Sequence, residues 1–259
     1  MSQLATASAT SRPEISVYWQ PGCSSCLKAK EFITEQGLEF ESVNVLENAE
    51  GMAEVMAAGL RSIPVVRKGD RFIYAQSLDD IATLLGTKHK HIKLANDVLA
   101  RRWDDVLQKT KDITGSFDQT ILDRQVIPGR PRVVSELCAH VFQIAESFLR
   151  QVEDDSIDAR AIYIRRQEGT ESRAGLLAYI EKIHAEYRDW VKQGGVGKLP
   201  EQLRTHYGIQ PVAQVLERGV WHSTQHARQL DFVAAGIGGE LVIPAGLYDG
   251  LPLPKRLWA

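Results

Sequence analysis

Cysteine is scarce in this chain. Three occur in 259 residues, at positions 23, 26 and 138, which is too few for a disulfide framework. A close pair in such a chain points to redox catalysis or metal binding rather than a structural staple. No apolar run approaches the ~18 residues that a membrane helix needs, so neither a membrane span nor a membrane partner is expected. Charge of one sign is missing too. Lys and Arg number 31 against 33 Asp and Glu, the net charge is -2, and no Lys/Arg run exceeds a pair. That removes the basic stripe on which phosphate-backbone binding depends, and nucleic acid with it. The N-terminus has no charged start followed by an apolar core, so no secretory signal is read there. Residues 1–14, rich in Ser, Ala and Thr, are expected to be a disordered leader, and the compartment cytoplasmic.

The stretch 15–86 alternates strand and helix signals. Ile15-Ser16-Val17-Tyr18-Trp19 is β-rich and Pro21-Gly22 breaks it. Cys23 to Gln36 reads as a helix closed by Gly37. Glu39 to Val45 alternates like a half-buried strand. Glu47 to Ala58 is a second helix. Pro64–Arg67 and Arg71–Tyr74 flank Lys68-Gly69-Asp70, a hairpin signal. Ser77, with Asp80 three residues on, caps a last helix ending near Gly86. The predicted order is β-α-β-α-β-β-α.

Cys23-Ser24-Ser25-Cys26 therefore follows a strand and opens a helix. There the first cysteine meets unsatisfied backbone N–H groups and the positive end of the helix dipole. Both favour the thiolate, the form that attacks a disulfide. Cys23 is assigned the nucleophile and Cys26, a turn on, the resolving thiol. Lys28 and Lys30 add local positive charge or are simply solvated. A zinc site built on the pair would need two more nearby ligands, and no other cysteine lies in the first 86 residues.

With these motifs, residues 15–86 resemble the glutaredoxins: strand, Pro-Gly-Cys-x-x-Cys, helix, and a later Ile63-Pro64 before a strand. The resemblance implies an α/β thioredoxin/glutaredoxin fold. It also implies a cis Pro64 that, with Ile63, shapes the groove for a thiol substrate. Ser-Ser stands where a Pro-aromatic pair is common. The usual glutathione-binding Gly-Gly and Cys/Ser-Asp gives way to Tyr74-Ala75-Gln76-Ser77-Leu78-Asp79-Asp80. The thiol partner is therefore glutathione or another low-molecular-weight thiol.

Beyond a short Thr87-Lys88 linker the periodicity becomes helical. One stripe runs Ile92, Ala95, Leu99, Val106, Thr110. A second runs Val133, Leu137, His140, Val141, Ile144, Phe148, and a third Leu176, Ile180, Ile183, Tyr187, Trp190. The fourth is Val212, Val215, Gly219, His222, His226, Leu230, Val233. Four amphipathic helices without intervening strands predict an all-α up-and-down four-helix bundle over 89–236. Residues 237–259 are expected to be an extended tail packed on a surface. The connections around 111–130, 153–170 and 193–209 are unusually long.

His222 and His226 share a helix face at i, i+4, and that face points inward with His140 on the second helix. Three imidazoles and a water would make an open, catalytic type of metal site. On spacing alone, core histidines satisfied by ordinary hydrogen bonds are the alternative. His184 is a candidate for lining the cavity, and Glu136 either for orienting His140 or, more simply, as a solvated or capping glutamate. His89, His91 and His206 read as solvated, and Cys138 as core. Residues from about 89 to 236 also resemble the DinB-like four-helix-bundle superfamily, through Glu136-Leu137-Cys138-Ala139-His140 and His222-Ser223-Thr224-Gln225-His226. The resemblance implies a divalent metal on His140, His222 and His226; three neutral histidines suit zinc first, and nickel or iron(II) fit too. It implies metal-dependent chemistry with low-molecular-weight thiols.

The whole chain is expected to be a bifunctional thiol-dependent enzyme. A dithiol redox domain would be coupled to a metal-dependent thiol transferase or isomerase acting on a small electrophile, as monomer or homodimer. The alternative is a disulfide reductase with a non-catalytic metal- or ligand-sensing bundle. A third reading is a metallochaperone that passes metal from dithiol to histidines.

Overall fold

β-branched and aromatic residues open the first unit, as strand formers should. Ile15–Trp19 (β1) is followed by Ser24–Glu35 (α1), Glu41–Asn44 (β2), Ala49–Ala57 (α2), Val65–Lys68 (β3), Arg71–Tyr74 (β4) and Leu78–Leu85 (α3). The computed structural model describes residues 13–90, 93–127, 129–238 and 246–258. Residues 1–12 of the expected leader, His91 and Ile92, and positions 239–245 and 259 of the expected tail lie outside the described residues. The chain divides into two units, Met1–His89 and Lys90–Ala259.

In the first unit the sheet order is β2-β1-β3-β4, with β1 parallel to β2 and antiparallel to β3. Alternation along β1 sorts its side chains between two cores. Ile15 and Val17 join Ala29, Phe32, Ile33, Ile81 and Leu85 under α1 and α3. Tyr18 joins Val43, Val55 and Val65 on the face of α2. Gly69, at φ 57°, makes the β3–β4 turn. The Ser77 hydroxyl accepts from the Asp80 N–H at 3.3 Å, the expected cap. Element order and hairpin agree with the sequence reading.

The second unit carries Asn96–Ser116 (α4), Gln119–Leu122 (α5), Val134–Glu153 (α6), Ala159–Ile164 (α7), Arg173–Lys192 (α8), Gln202–Thr205 (β5), Gly208–Pro211 (β6) and Val212–Gly236 (α9). The four long helices are those the stripes predict, and they form one bundle. Trp103 sits at its centre, fully buried, donating to Ser223 Oγ at 3.0 Å. Ser223 donates in turn to the Val141 carbonyl at 3.3 Å. One polar chain thus ties α4, α9 and α6 together.

Two details correct the expectation of an up-and-down, strand-free bundle. First, α4 and α9 run the same way: Trp103 lies against Gly219 and Lys109 pairs with Asp231. So do α6 and α8, where Tyr179 bonds Glu146 and Arg150 bonds Glu186. The α4–α8 pair is antiparallel, with Tyr187 on Ala100 and Arg173 on Gly115. The directions are therefore up, down, down, up. Short loops force sequential helices to be antiparallel neighbours; the long connections here let the chain cross the bundle instead. Second, β5 and β6 pair as an antiparallel hairpin inside the 193–211 connection. Of its eight positions, Leu203 is the buried one, so the sequence carried almost no apolar alternation to mark it.

The tail lies along α9. Gln225 Nε2 donates to the carbonyls of Arg256 and Leu257 at 3.1 and 2.9 Å, and Arg228 donates to that of Pro254 at 2.9 Å.

Candidate functional site

The first centre is the start of α1. Cys23 is the N-cap residue, and its sulfur accepts the Cys26 N–H at 3.1 Å. The two cysteines are joined as a disulfide. Cys23 is partly exposed, whereas Cys26 is fully buried. An incoming thiol therefore meets Cys23 first. Lys30 lies 3.7 Å over the Trp19 ring, and Lys28 is buried along the helix. The Ile63–Pro64 bond is cis. Because Tyr18 pairs with Val65, Pro64 stands opposite Trp19, at the end of β1 that leads to Cys23.

The second centre is inside the bundle. One nitrogen from each of His140, His222 and His226 lies within 4.8 Å of the others, and all three residues are buried. His140 comes from α6; His222 and His226, one turn apart, come from α9. A chain of bonds fixes the tautomer of His226. Gln229 Nε2 donates to the Leu257 carbonyl at 2.8 Å, so its Oε1 faces His226 Nδ1 at 2.7 Å. Nδ1 therefore carries the proton, and Nε2 offers its lone pair. That lone pair faces His222 Nε2 at 3.2 Å. At Zn–N distances of about 2.0–2.1 Å, two nitrogens on a tetrahedral zinc stand about 3.3–3.4 Å apart. The donor set and spacing fit a divalent ion. Among the described residues the buried Nδ1 atoms of His140 and His222 have no hydrogen-bond partner, so these two rings are not fully satisfied core histidines.

The surroundings keep the imidazoles neutral. Burial, then the Arg132 guanidinium, pushes His226 down to about 3. Burial likewise holds His140 and His222 well below the usual imidazole range, with Arg132 and the neighbouring rings adding to it. A neutral imidazole is the form that binds metal.

A family model for glutaredoxin matches residues 15–73. The glutaredoxin-like protein NrdH of Lactococcus lactis subsp. lactis (strain IL1403) is 30% identical over 56 residues, which is 22% of this chain and 78% of that protein. Through this N-terminal region the chain belongs to the glutaredoxin family. The gene 56 protein of Mycobacterium phage D29 is 34% identical over 55 residues, covering 20% of this chain and 59% of that one. Among solved structures, the chain is similar to YfiT from Bacillus subtilis, described as a probable metal-dependent hydrolase with an unusual four-helix bundle topology. Identity is 16%, coverage 60% of this chain and 96% of that one, and the TM-score 0.44; a likeness that distant carries no argument.

Within the glutaredoxin domain the structure joins Cys23 to Cys26 and makes Pro64 cis, and in the bundle it brings the three histidines together. Other expectations need correcting. Glu136 does not orient His140; it pairs with Arg166 at 3.7 Å. His184 bonds Asp104 at 2.7 Å across the α4–α8 seam, away from the triad. His89 is not simply solvated, since its Nδ1 meets Asp79 at 2.8 Å. Cys138 is core, as expected, its thiol pushed up to about 12 by burial. His206, read as a loop residue, sits in the β5–β6 turn with Nδ1 3.3 Å from Tyr163 Oη. Burial, followed by Arg218 and Arg160, pushes it down to about 3. His206, Tyr163, Arg218 and Gln229 were all missed. Arg218 and Gln229 had a signal, lying one turn before His222 and after His226. For His206 and Tyr163 there was none.

Proposed function

We propose that the chain is a two-centre thiol enzyme, in which the Cys23–Cys26 dithiol works with metal-dependent thiol transfer or isomerisation of a small electrophile in the bundle. One observation carries the second half of this reading: three buried neutral imidazoles converge, with the Nε2 atoms of His222 and His226 3.2 Å apart. An ion between those two nitrogens takes up both lone pairs. His140, His222 and His226 would hold the ion and leave a position open. A divalent metal there supplies Lewis acidity that lowers the pKa of a thiol or polarises a carbonyl. The ion is zinc by preference, since three neutral histidines suit it.

At the first centre the chemistry is thiol–disulfide exchange. In the reduced protein the Cys23 thiolate attacks a substrate disulfide, forming a mixed disulfide and expelling one thiolate. Cys26, having given up its proton, attacks the Cys23 sulfur, expels the second thiolate and closes the disulfide present in the structure. An external thiol reductant, glutathione or another small thiol, returns the pair to the dithiol. Ile63 and Pro64 border the substrate thiol in this reading. The fusion supports a division of labour: one centre supplies or regenerates the thiol that the other uses.

The test uses the full chain on a panel of electrophiles with glutathione. The parent, Cys23→Ser and His222→Ala are compared. Loss of electrophile turnover in His222→Ala supports a bundle reaction. Its survival there favours the alternative of a plain reductase with a metal- or ligand-sensing bundle. Turnover that Cys23→Ser leaves untouched removes the coupling between centres.

A further inference from the structure

The side of the three-histidine centre behind His226 is closed by the last described stretch of the chain. That stretch is anchored before it reaches the histidines. The Tyr248 hydroxyl donates to Asp231 at 3.3 Å. Leu251 belongs to the bundle core, and Pro254 is buried as well. Further along, three side chains of α9 take hold of it. Arg228 donates to the Pro254 carbonyl at 2.9 Å and to Gln225 Oε1 at 2.7 Å. Gln225 Nε2 donates to the carbonyls of Arg256 and Leu257, and Gln229 Nε2 donates to that of Leu257 at 2.8 Å. Gln225, His226 and Gln229 are all buried.

Donor and acceptor chemistry leaves these amides one orientation each. An arginine only donates, so the end of Gln225 that faces Arg228 is its oxygen. A backbone carbonyl only accepts, so the end of Gln229 that faces Leu257 is its NH₂. The Gln229 oxygen is then left for His226 Nδ1 at 2.7 Å, and the ring carries its proton there. With Leu257 taken away, the Gln229 amide is free to turn over. Its NH₂ would then donate to Nδ1, and the ring proton would sit on Nε2, pointing at His222 Nε2 3.2 Å away. In that form His226 has no lone pair where the three histidines converge.

We propose that residues 254–257 are a positioning element of the metal centre: docked on α9, they hold His226 in the Nδ1–H form, with Nε2 open to the ion. The inference rests on the reading of the triad as a metal site. The hydrogen bond at one imidazole nitrogen sets which nitrogen can bind a metal. Here the acceptor, Gln229, is itself aimed by a main-chain carbonyl 28 residues further on.

The test uses the full chain, oxidised at Cys23–Cys26 so that neither of that pair binds the ion, and a chain shortened to end at Leu253. In the metal-free proteins, nitrogen NMR of the imidazoles near neutral pH identifies which nitrogen of His226 is protonated. It should be Nδ1 in the full chain, and Nε2 or a mixture in the shortened one. Zinc affinity, from competition with a chelator, should fall about 10–100-fold on shortening, the usual effect of losing a ligand's orienting partner. Gln229→Glu separates positioning from general support. A carboxylate accepts from Nδ1–H whichever way it turns, so it does not need Leu257. In the full chain it would meet the Leu257 carbonyl without bonding it. The substitution should therefore restore most of the lost affinity in the shortened chain and give no comparable gain in the full chain. His226 protonated on Nε2 in the full chain overturns the proposal, and that measurement needs no variant to fold. So does a shortened chain, folded by its melting curve, that keeps the parent's affinity. Equal effects of Gln229→Glu in the two chains overturn it too. Failure of the full chain to bind zinc, with His226 still protonated on Nδ1, removes the metal reading and leaves the hold of the segment on His226.

Discussion

Acid should destabilise the metal-free bundle through its buried histidines, and His226 gives the size of the effect. In the unfolded chain its imidazole titrates near 6.5; in the fold, burial and Arg132 hold it at about 3. Above the unfolded value both states are neutral, and His226 contributes no pH dependence. As pH falls below ~6.5 the unfolded state takes up a proton that the fold refuses, so stability is lost until the folded value is reached. At about pH 5.5 the loss is about 1.4 kcal/mol, and near pH 4.5 about 2.7 kcal/mol. His140 and His222 act in the same direction. The perturbation is His226→Gln, which cannot take up the proton. The assay is urea unfolding of the metal-free chain, read from the bundle tryptophans in a Trp19→Phe background. The stability difference between parent and variant should change by about 1.4 kcal/mol between about pH 7.5 and 5.5, to the parent's disadvantage. Parallel curves for the two proteins would refute the buried, neutral state of His226. Excess zinc should raise the parent's curve without flattening it across the same range, because the folded imidazoles carry no proton there with or without the ion.

Other outcomes follow from particular contacts. A methyl group on Gly219 runs into the Trp103 ring; Gly219→Ala should cost about 1–3 kcal/mol of bundle stability, the usual scale for overpacking, seen in thermal or urea unfolding. Gln229→Leu removes the acceptor that fixes His226 and frees Leu257. It should lower zinc affinity about 10–100-fold in a competition titration while the fold is kept, as loss of a ligand's orienting partner does. Cys26→Ser should accumulate a mixed disulfide on Cys23 with a model disulfide, detectable by mass spectrometry, whereas Cys23→Ser should form none. An adduct on Cys26 instead would reverse the assigned roles.

The two units were unequally legible. In the first, local signals and tertiary structure agree: Ile15–Trp19 is both β-prone and central, Ser77 both caps and is followed by an apolar face, and Cys23 sits where strand gives way to helix. The helix stripes of the second unit were equally clear, because burying Leu137, His140, Val141 and Ile144 together needs the 3.6-residue period. Helix directions were not legible. Periodicity says which face is buried, not which neighbour covers it, and the parallel α4–α9 pair is set by long connections without apolar pattern. The inward histidines could be found because they lie on those stripes. His206 and Tyr163 could not, since a hairpin turn and a six-residue helix bring them together across a distance that no local spacing records. Glu136 is the opposite case. It is a turn from His140 in sequence, but Arg166 holds it.

Metal analysis of the purified full chain tests the central claim most directly. One divalent ion per chain should be present or readily taken up, with an X-ray absorption spectrum of histidine nitrogens at about 2.0–2.1 Å. It should be lost in His222→Ala and kept in the Cys23→Ser/Cys26→Ser double variant. An ion that persists without His222, or that follows the cysteines, would contradict the account.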